Sequence, residues 1–402
     1  MRRSVRLGGM NLDAIQTALK EQKLDGWLFY DHHHRDPIAY RILGLSESLH
    51  VTRRWYYLIP AEGEPRKLVH RIEAGRLDTL PGSKAVYSSY SSWQELEANL
   101  KTMLEPFRKL AMQYSPRNAI MYVSMVDAGT VELLREFGKT IVSSSDLVSH
   151  FEAVLSAERI ATHYQAQKVV DEVLMEGFRE IGRRVRSAAG ETTEFALVGW
   201  LSEALRRGGL VWENSPDVAV NENTSDSHYA ATEAATKPIR EGDFVLIDIW
   251  GRVNRPESIF YDITWTGVVG REPSARERMV FKTVRDARDA AISTVQAAFV
   301  AGRPIAGWEA DDASRAVIRE AGFGEFFTHR TGHNIATEIH GNGAHLDNLE
   351  THDERLLLPF TCFSVEPGIY LPEFGVRSEI DMITSAKEAV VTGMVQRELL
   401  RI

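Results

Sequence analysis

Four acidic residues sit inside runs that otherwise read as the core of a sheet. They are Asp248 in FVLIDIW, Asp262 in IFYDITW, Glu366 closing CFSVE and Glu379 in VRSEIDMI. A lone buried carboxylate either costs several kcal/mol or takes up a proton. Acids are seldom fully buried unless paired. One such residue is explained by one salt bridge. Four of them, at matching places in two parts of the chain, call for shared counter-charge, and two divalent cations balance four carboxylates. Bridging carboxylates that hold two ions about 3.5–4 Å apart meet this requirement.

The matching places come from a duplication. Past Ser156, the residues Val170, Leu174, Phe178, Ile181 and Val185 recur at helical spacing in one long helix. Thr193 as N-cap and Gly208 as stop bound a second helix. VAVNEN, FVLIDIWG and IFYDITWTGVV follow. The order then returns. Ser274 and Glu277 form a capping box ahead of a helix ending near Gly302, a shorter helix ends near Gly322, and CFSVEPGIY and GVRSEIDMIT come last. Each half has two helices and two acid-bearing runs, so this is one duplication and not a short-period array. Carboxylates would converge from both copies.

The first 150 residues read as a separate α/β domain. A helix over Leu12–Gln22 leads into the strand DGWLFYD, and YYLIPA, KLVHRI and NAIMYVS read as further strands. Ser92 and Glu95 form a capping box for SWQELEANLKTML. The connector SSSDLVSHFEAVLSAER marks the boundary, giving domains 1–150 and 156–402. Met10 is a candidate start, with the first nine residues an extension.

Net charge is 47 basic minus 56 acidic residues, or −9. That argues against a nucleic-acid or anionic-membrane binder. Cys362 is the one cysteine, so no internal disulfide is possible, and a cytoplasmic location is expected. Its apolar surroundings read as core and not as a nucleophile's site. No run approaches the roughly 18 apolar residues of a membrane span. The basic N-terminus lacks the apolar block of a signal peptide.

A histidine ligand should accompany the acids. HRTGHNIATEIHGNGAH offers His329, His333, His340 and His345. His333 follows Thr-Gly, so its ring can project from a tight turn.

Together, TGHNI, SVEPGIY, GVRSE, LID and YDITWT resemble the pita-bread metallopeptidases, the family of methionine aminopeptidase, aminopeptidase P and prolidase. The resemblance is strong over 156–402. LDGWLFYDHHHRDPIAYRILGL is similar to the smaller domain of the prolidase, aminopeptidase P and creatinase branch. The implied fold is a smaller creatinase-like α/β domain followed by a pita-bread domain with pseudo-twofold duplication, α/β (α+β) overall. By position, the resemblance implies that Asp248 chelates one metal, Asp262 and Glu379 bridge both, and His333 and Glu366 bind the other. It also implies that Glu366 shuttles a proton and that His340 and His228 act catalytically on the substrate. Arg377 lies at a position near the site in that branch. Its functional reading is a clamp on a substrate carboxylate, and its plain reading is an ion pair with a nearby acid.

The implied function is hydrolysis of Xaa-Pro dipeptides through a metal-bridging hydroxide. The oxygen-rich donor set favours Mn(II), with Zn(II), Co(II) or Fe(II) feasible. A homodimer acting on a small peptide with proline second is expected, with neither nucleic acid nor membrane as partner. Two alternatives are carried: aminopeptidase P acting on Xaa-Pro-Yaa, and a non-catalytic binding protein on the same fold.

Three features depart from the family. The Asp248–Asp262 gap is wide, so GRVNRPESIFY reads as an enlarged hairpin loop. Trp265 replaces a common arginine, and is either core or a substrate contact. GNG follows His340 where relatives place an acid. DHHHRD, residues 31–36, has the composition of a metal cluster. Consecutive side chains diverge, however, so it reads as a polar loop, or as one that reaches a neighbouring subunit's site.

Overall fold

The structure, a computed structural model, describes residues 10–82, 88–187 and 192–402. The proposed extension before Met10 lies outside the described residues. Two compact units divide between Phe151 and Glu152.

The first unit is built on one mixed sheet. Its strands are β1 (Gly26–Asp31), β2 (Trp55–Pro60), β3 (Arg66–His70), β4 (Ser89–Tyr90), β5 (Lys109–Met112) and β6 (Thr140–Ser143), in the order β4-β3-β2-β1-β5-β6. Every residue of β1 is buried. Trp27 and Phe29 pack with Ile15 and Leu19 of the helix Leu12–Glu21, while Leu28 and Tyr30 pack with Leu96 and Leu100 of the helix Trp93–Leu104. A strand covered on both faces needs such a continuous apolar run. The Ser92–Glu95 capping box is formed. NAIMYVS is not a strand. It makes single 3-10 turns at Pro116–Asn118 and Met121–Val123, with Arg117 and Asn118 at φ 57° and 55°. Left-handed residues interrupt any ladder there, and the sheet is completed by β5 and β6 instead.

The histidine loop after β1 is shaped by buried Asp31. Its carboxylate accepts backbone N–H groups from His34 (3.1 Å), Arg35 (2.7 Å) and Asp36 (3.2 Å), and the Tyr40 hydroxyl (2.8 Å). These bonds hold His33 and His34 at φ 62° and 56°. The loop is thus folded around a carboxylate that accepts hydrogen bonds, and no three of its side chains present donors to one point.

The second unit opens with the helix Ala157–Ser187, whose Val170, Leu174, Phe178, Ile181 and Val185 are buried. It shares one core cluster with the strands β7 (Leu210–Val211) and β8 (Asp217–Val220), and packs on the strands β9 (Phe244–Val253) and β10 (Tyr261–Val268). The helix Glu194–Arg207 between them is capped by Thr193 and Gly208. The long gap between the two aspartates divides between strand and an enlarged hairpin loop. β9 continues to Val253, and residues 254–260 form the loop.

The later strands are β11 (Asn334–Ile335), β12 (Cys362–Val365), β13 (Gly368–Tyr370), β14 (Gly375–Arg377), β15 (Ile380–Thr384), β16 (Ala389–Thr392) and β17 (Leu400–Arg401). They form a sheet β11-β12-β15-β16 and a hairpin β13–β14, while β17 joins β10. The helices Ala275–Val300 and Gly307–Glu320 precede them. The two acid-bearing runs of this second half are each broken at the acid. Glu366 and Pro367 separate β12 from β13, and Ser378 and Glu379 separate β14 from β15. At the first break, Pro367 has no N–H to continue a ladder. At the second, the Glu379 N–H donates to the Thr264 carbonyl (3.2 Å), turning the chain toward β10.

Candidate metal centre and active site

The hairpin register sets the first two acids. Thr264 lies opposite Asp248, and Asp262 opposite Trp250. Residues two apart on a strand share a face, so Asp248 and Asp262 project to the same side as diagonal neighbours. Ile263 and Trp265 take the other face, where Trp265 packs against the core cluster beside the long helix. Trp265 is therefore core and does not line the site cavity.

His333 is delivered by a close approach of two backbones. A Cβ on Gly332 would lie 2.0 Å from the Ser364 carbonyl oxygen, so only glycine fits. The residue is needed for this proximity and not for the tight turn expected. The His333 N–H donates to Ser364 Oγ (2.9 Å), and the Ser364 N–H donates back to the His333 carbonyl (2.9 Å). Asp311 ties down the approach, accepting from the Thr331 N–H (2.9 Å) and hydroxyl (2.6 Å).

Donors from four segments then converge. The ligating atoms of Asp262, His333 and Glu379 all lie within 4.8 Å of one another, and all three residues are buried. His333 Nε2 is 3.2 Å from Glu366 Oε1 and 3.7 Å from Asp262 Oδ2. Ser364 Oγ donates to Glu366 Oε1 (3.1 Å), and Thr264 Oγ1 donates to Glu379 Oε2 (2.7 Å). Asp248 completes the group through Arg377, its ion-pair partner.

The electrostatics show why such a cluster needs a cation. Burial, then the neighbouring Asp248, pushes Asp262 well above the usual carboxylate range. Glu379 rises likewise through burial and Asp262. Glu366 is raised by burial to about 7, against the pull of Arg377. Burial drives His333 well below its usual value, leaving a neutral imidazole, the form that binds metal. Asp248 Oδ1, Asp262 Oδ1 and Glu379 Oε1 are buried with no hydrogen-bond partner. Buried polar atoms are ordinarily satisfied. Three orphaned carboxylate oxygens beside a neutral imidazole fit divalent cations.

Arg377 is engaged by the protein itself. Nη2 donates to Asp248 Oδ2, Nε to Thr264 Oγ1 (3.1 Å), and Nη1 to the Tyr370 hydroxyl (3.2 Å) and the Ser227 carbonyl (3.4 Å). Four of its five N–H groups are used. A two-pronged grip on a substrate carboxylate would have to break the Asp248 pair, so the geometry matches the plain ion-pair reading.

A cavity of about 620 Å³ opens over this cluster, lined by Asp248, Asp262, His333, Glu366 and Arg377, and also by His228 and His340. The His340 ring meets that of His333 edge-on, with centroids 4.3 Å apart. Surrounding protein and Arg330 lower His340 to about 4, although the residue opens to the cavity. His228 is exposed on a turn, where its N–H donates to Asp226 Oδ1 (3.0 Å). Of the other two histidines of the segment, His329 also lines the cavity, and His345 is buried in the framework. His329 Nε2 meets the Tyr370 hydroxyl at 2.7 Å, and His345 Nδ1 accepts from the Asn334 N–H (3.0 Å).

Three residues of this region were not singled out in the sequence. Asp381 Oδ2 accepts from the Asp262 N–H (2.9 Å) and so fixes the strand that carries Asp262. Its spacing of two from Glu379, inside an apolar run, was the available signal. His163 and Cys362 lie against Asp381 as a second group of potential ligands. However, His163 Nδ1 donates to the Phe260 carbonyl (2.7 Å), a partner that can only accept, so Nε2 accepts from Thr392 Oγ1 (2.9 Å). Both ring nitrogens are thereby used, and Cys362 is core as expected. The third residue is Asp217, on the cavity wall. Burial and then Asp248 raise it to about 7. An acid at the head of a short strand gave no signal in sequence.

Carboxylates and one neutral imidazole arranged this way, in a mixed α/β unit, define a divalent-metal hydrolase. The chain belongs to metallopeptidase family M24, which residues 161–386 match. It has the pita-bread fold of that family's prolidase branch. It is 28% identical over 273 residues to the Xaa-Pro dipeptidase of Pyrococcus furiosus, covering 66% of this chain and 69% of that one. It is 29% identical over 381 residues to the Xaa-Pro dipeptidase of Lactobacillus delbrueckii subsp. lactis, covering 92% and 93%. In structure it is similar to dipeptidase PepE from Mycobacterium ulcerans, with a TM-score of 0.69 at 22% identity over 97% of this chain and 96% of that one. Among the described residues, no helix is long and apolar enough to cross a membrane.

Proposed function

We propose that this chain is a divalent-metal Xaa-Pro dipeptidase. The observation that carries the reading is the buried convergence of Asp262, His333 and Glu379 beneath a cavity that also takes in Asp248 and Glu366. The activity of the Pyrococcus and Lactobacillus relatives supports it, and the cavity's volume suits a small peptide. Residues 1–150 are proposed as the creatinase/prolidase-like domain and 156–402 as the catalytic one. The enzyme is proposed to be cytoplasmic and homodimeric.

Asp248, Asp262, His333, Glu366 and Glu379 would hold two divalent ions, with Mn(II) favoured by the mostly oxygen donor set. Such ions, when bound, supply Lewis acidity toward water and toward the scissile carbonyl. The side chains do the rest. Glu366, facing the cavity, would take a proton from the attacking water and return it to the departing prolyl nitrogen. That nitrogen leaves a tertiary amide and carries no proton of its own. His340, neutral at pH 7, offers an N–H to the oxyanion, and His228 faces the same cavity from its turn. Arg377 holds the Asp248 carboxylate in place.

The test compares Ala-Pro with Ala-Pro-Gly at several added divalent ions. Release of alanine from the dipeptide alone is expected, and chelation should abolish it and lower Tm. Preference for the tripeptide would move the reading to aminopeptidase P. No hydrolysis and no bound metal would leave a binding protein on this fold.

A further inference from the structure

Asp217 stands directly across from Asp248 in the β8–β9 pair, so their side chains leave the sheet on the same face. It lines the cavity and is only half-buried. No hydrogen bond or ion pair to its carboxylate is found among the described residues. Arg377, the nearest cation named among its electrostatic neighbours, is already bonded to Asp248. Glu213 and Glu350 are exposed, line the same cavity and add negative charge. The proposed donors do not include any of these three acids.

Resting on the Xaa-Pro reading, we infer that Asp217 is a specificity residue that receives the positive charge carried by the substrate's first residue. The chemistry of the substrate leaves no other cation for it. The proline ring is apolar, and the proline end of an Xaa-Pro dipeptide carries only a carboxylate. Positive charge therefore comes from the first residue, as its α-ammonium or as a lysine or arginine side chain. A cavity lined by Asp217, Glu213 and Glu350 attracts that end and repels the proline carboxylate. Asp217 thereby orients the peptide as well as selecting it.

The experiment measures KM and kcat of wild type and Asp217→Asn on Ala-Pro and Lys-Pro, with metal content determined for both proteins. Losing one charge-assisted hydrogen bond predicts a rise in KM of about tenfold, with kcat and metal content unchanged. A rise on both substrates identifies the α-ammonium as the group held. A rise on Lys-Pro alone identifies the side chain. Asp217→Lys should invert the preference, favouring Glu-Pro over Lys-Pro, while Asp217→Glu should restore wild-type KM. Unchanged KM on both dipeptides overturns the inference. So does a fall in kcat with lost metal, which would mean that Asp217 acts through Asp248. Failure of the wild type to cleave any Xaa-Pro would instead defeat the functional reading itself.

Discussion

The two pairs of proposed metal donors are positioned by different means. Asp248 and Asp262 stand on unbroken strands, and the register of one hairpin aims both carboxylates. Glu366 and Glu379 stand where strands break, and each is held by a hydroxyl, from Ser364 and Thr264 respectively. The first pair is aimed by the pleat, with Arg377 bonded to the Asp248 carboxylate. The second has lost the ladder locally and depends on side-chain hydrogen bonds. Duplication therefore repeats the chemistry of the donors without repeating the device that places them. The second half should be the more fragile.

Loss of a donor should erase this difference, because both pairs serve one centre. Asp262→Asn and Glu379→Gln should each reduce kcat at least ~10³-fold, since bound cations contribute several kcal/mol to the transition state. Each variant should also raise the Tm of the metal-free protein by relieving repulsion among buried carboxylates. Activity above a tenth of wild type in either variant, at saturating metal, would show that its carboxylate is not a donor.

The support of the donors is where the halves should diverge. Thr264→Val and Ser364→Ala remove the hydroxyls on Glu379 and Glu366, and a loss of ~10–100-fold in divalent-ion affinity is expected for each. Titration calorimetry against wild type measures it. Asp262 receives no hydroxyl; its strand is set by the β9–β10 pairing, and its own N–H donates to Asp381. Asp381→Asn preserves the shape and an acceptor oxygen, so its loss of affinity should be the smaller one. A larger loss in Asp381→Asn than in Thr264→Val would reverse the comparison.

Acidity sharpens the same point. Asp262, Glu366 and Glu379 all have raised folded-state pKa values, Glu366 at about 7. The folded metal-free protein thus holds protons that the unfolded chain has released. The cluster's contribution to stability is present at low pH and is lost as pH rises through the raised folded values, about 7 for Glu366. Ion binding needs the same groups ionised, so affinity gains roughly tenfold per pH unit for each proton displaced. The Tm increment on adding Mn(II) should grow from pH 5 to pH 8. A flat increment would mean that the carboxylates are already ionised without metal.

Much of this was readable beforehand because buried acids are conspicuous in apolar runs. The acids in FVLIDIW and IFYDITW stood out, and helix ends at Thr193, Gly208, Ser92 and Ser274 follow local rules that tertiary contacts did not override. What was hidden depends on contacts distant in sequence. The break at Glu379 arises partly because its backbone N–H turns to β10, over a hundred residues away in the chain. The commitment of Arg377 to Asp248 has the same long-range origin. NAIMYVS has the composition of a strand, but it begins on the left-handed Asn118 and turns again at Met121–Val123.

Trp265 provides the smallest and most local test of the hairpin half. If the pleat aims Asp262, the alternate residues Ile263 and Trp265 must face away and belong to the core. Trp265 packs beside the long helix, and its indole N–H is buried without a partner. Replacement by phenylalanine therefore sacrifices some packing but no hydrogen bond, and removes an unsatisfied donor. The expected cost is about 1 kcal/mol, or roughly 2–4 °C in Tm for a unit of this size. Both kcat and KM on Ala-Pro should stay within about twofold of wild type, because a change of that order is well under 1 kcal/mol. A tenfold change in KM with Tm unmoved would place the indole in contact with substrate, and β10 could not then be a strand whose two faces divide cleanly between cavity and core.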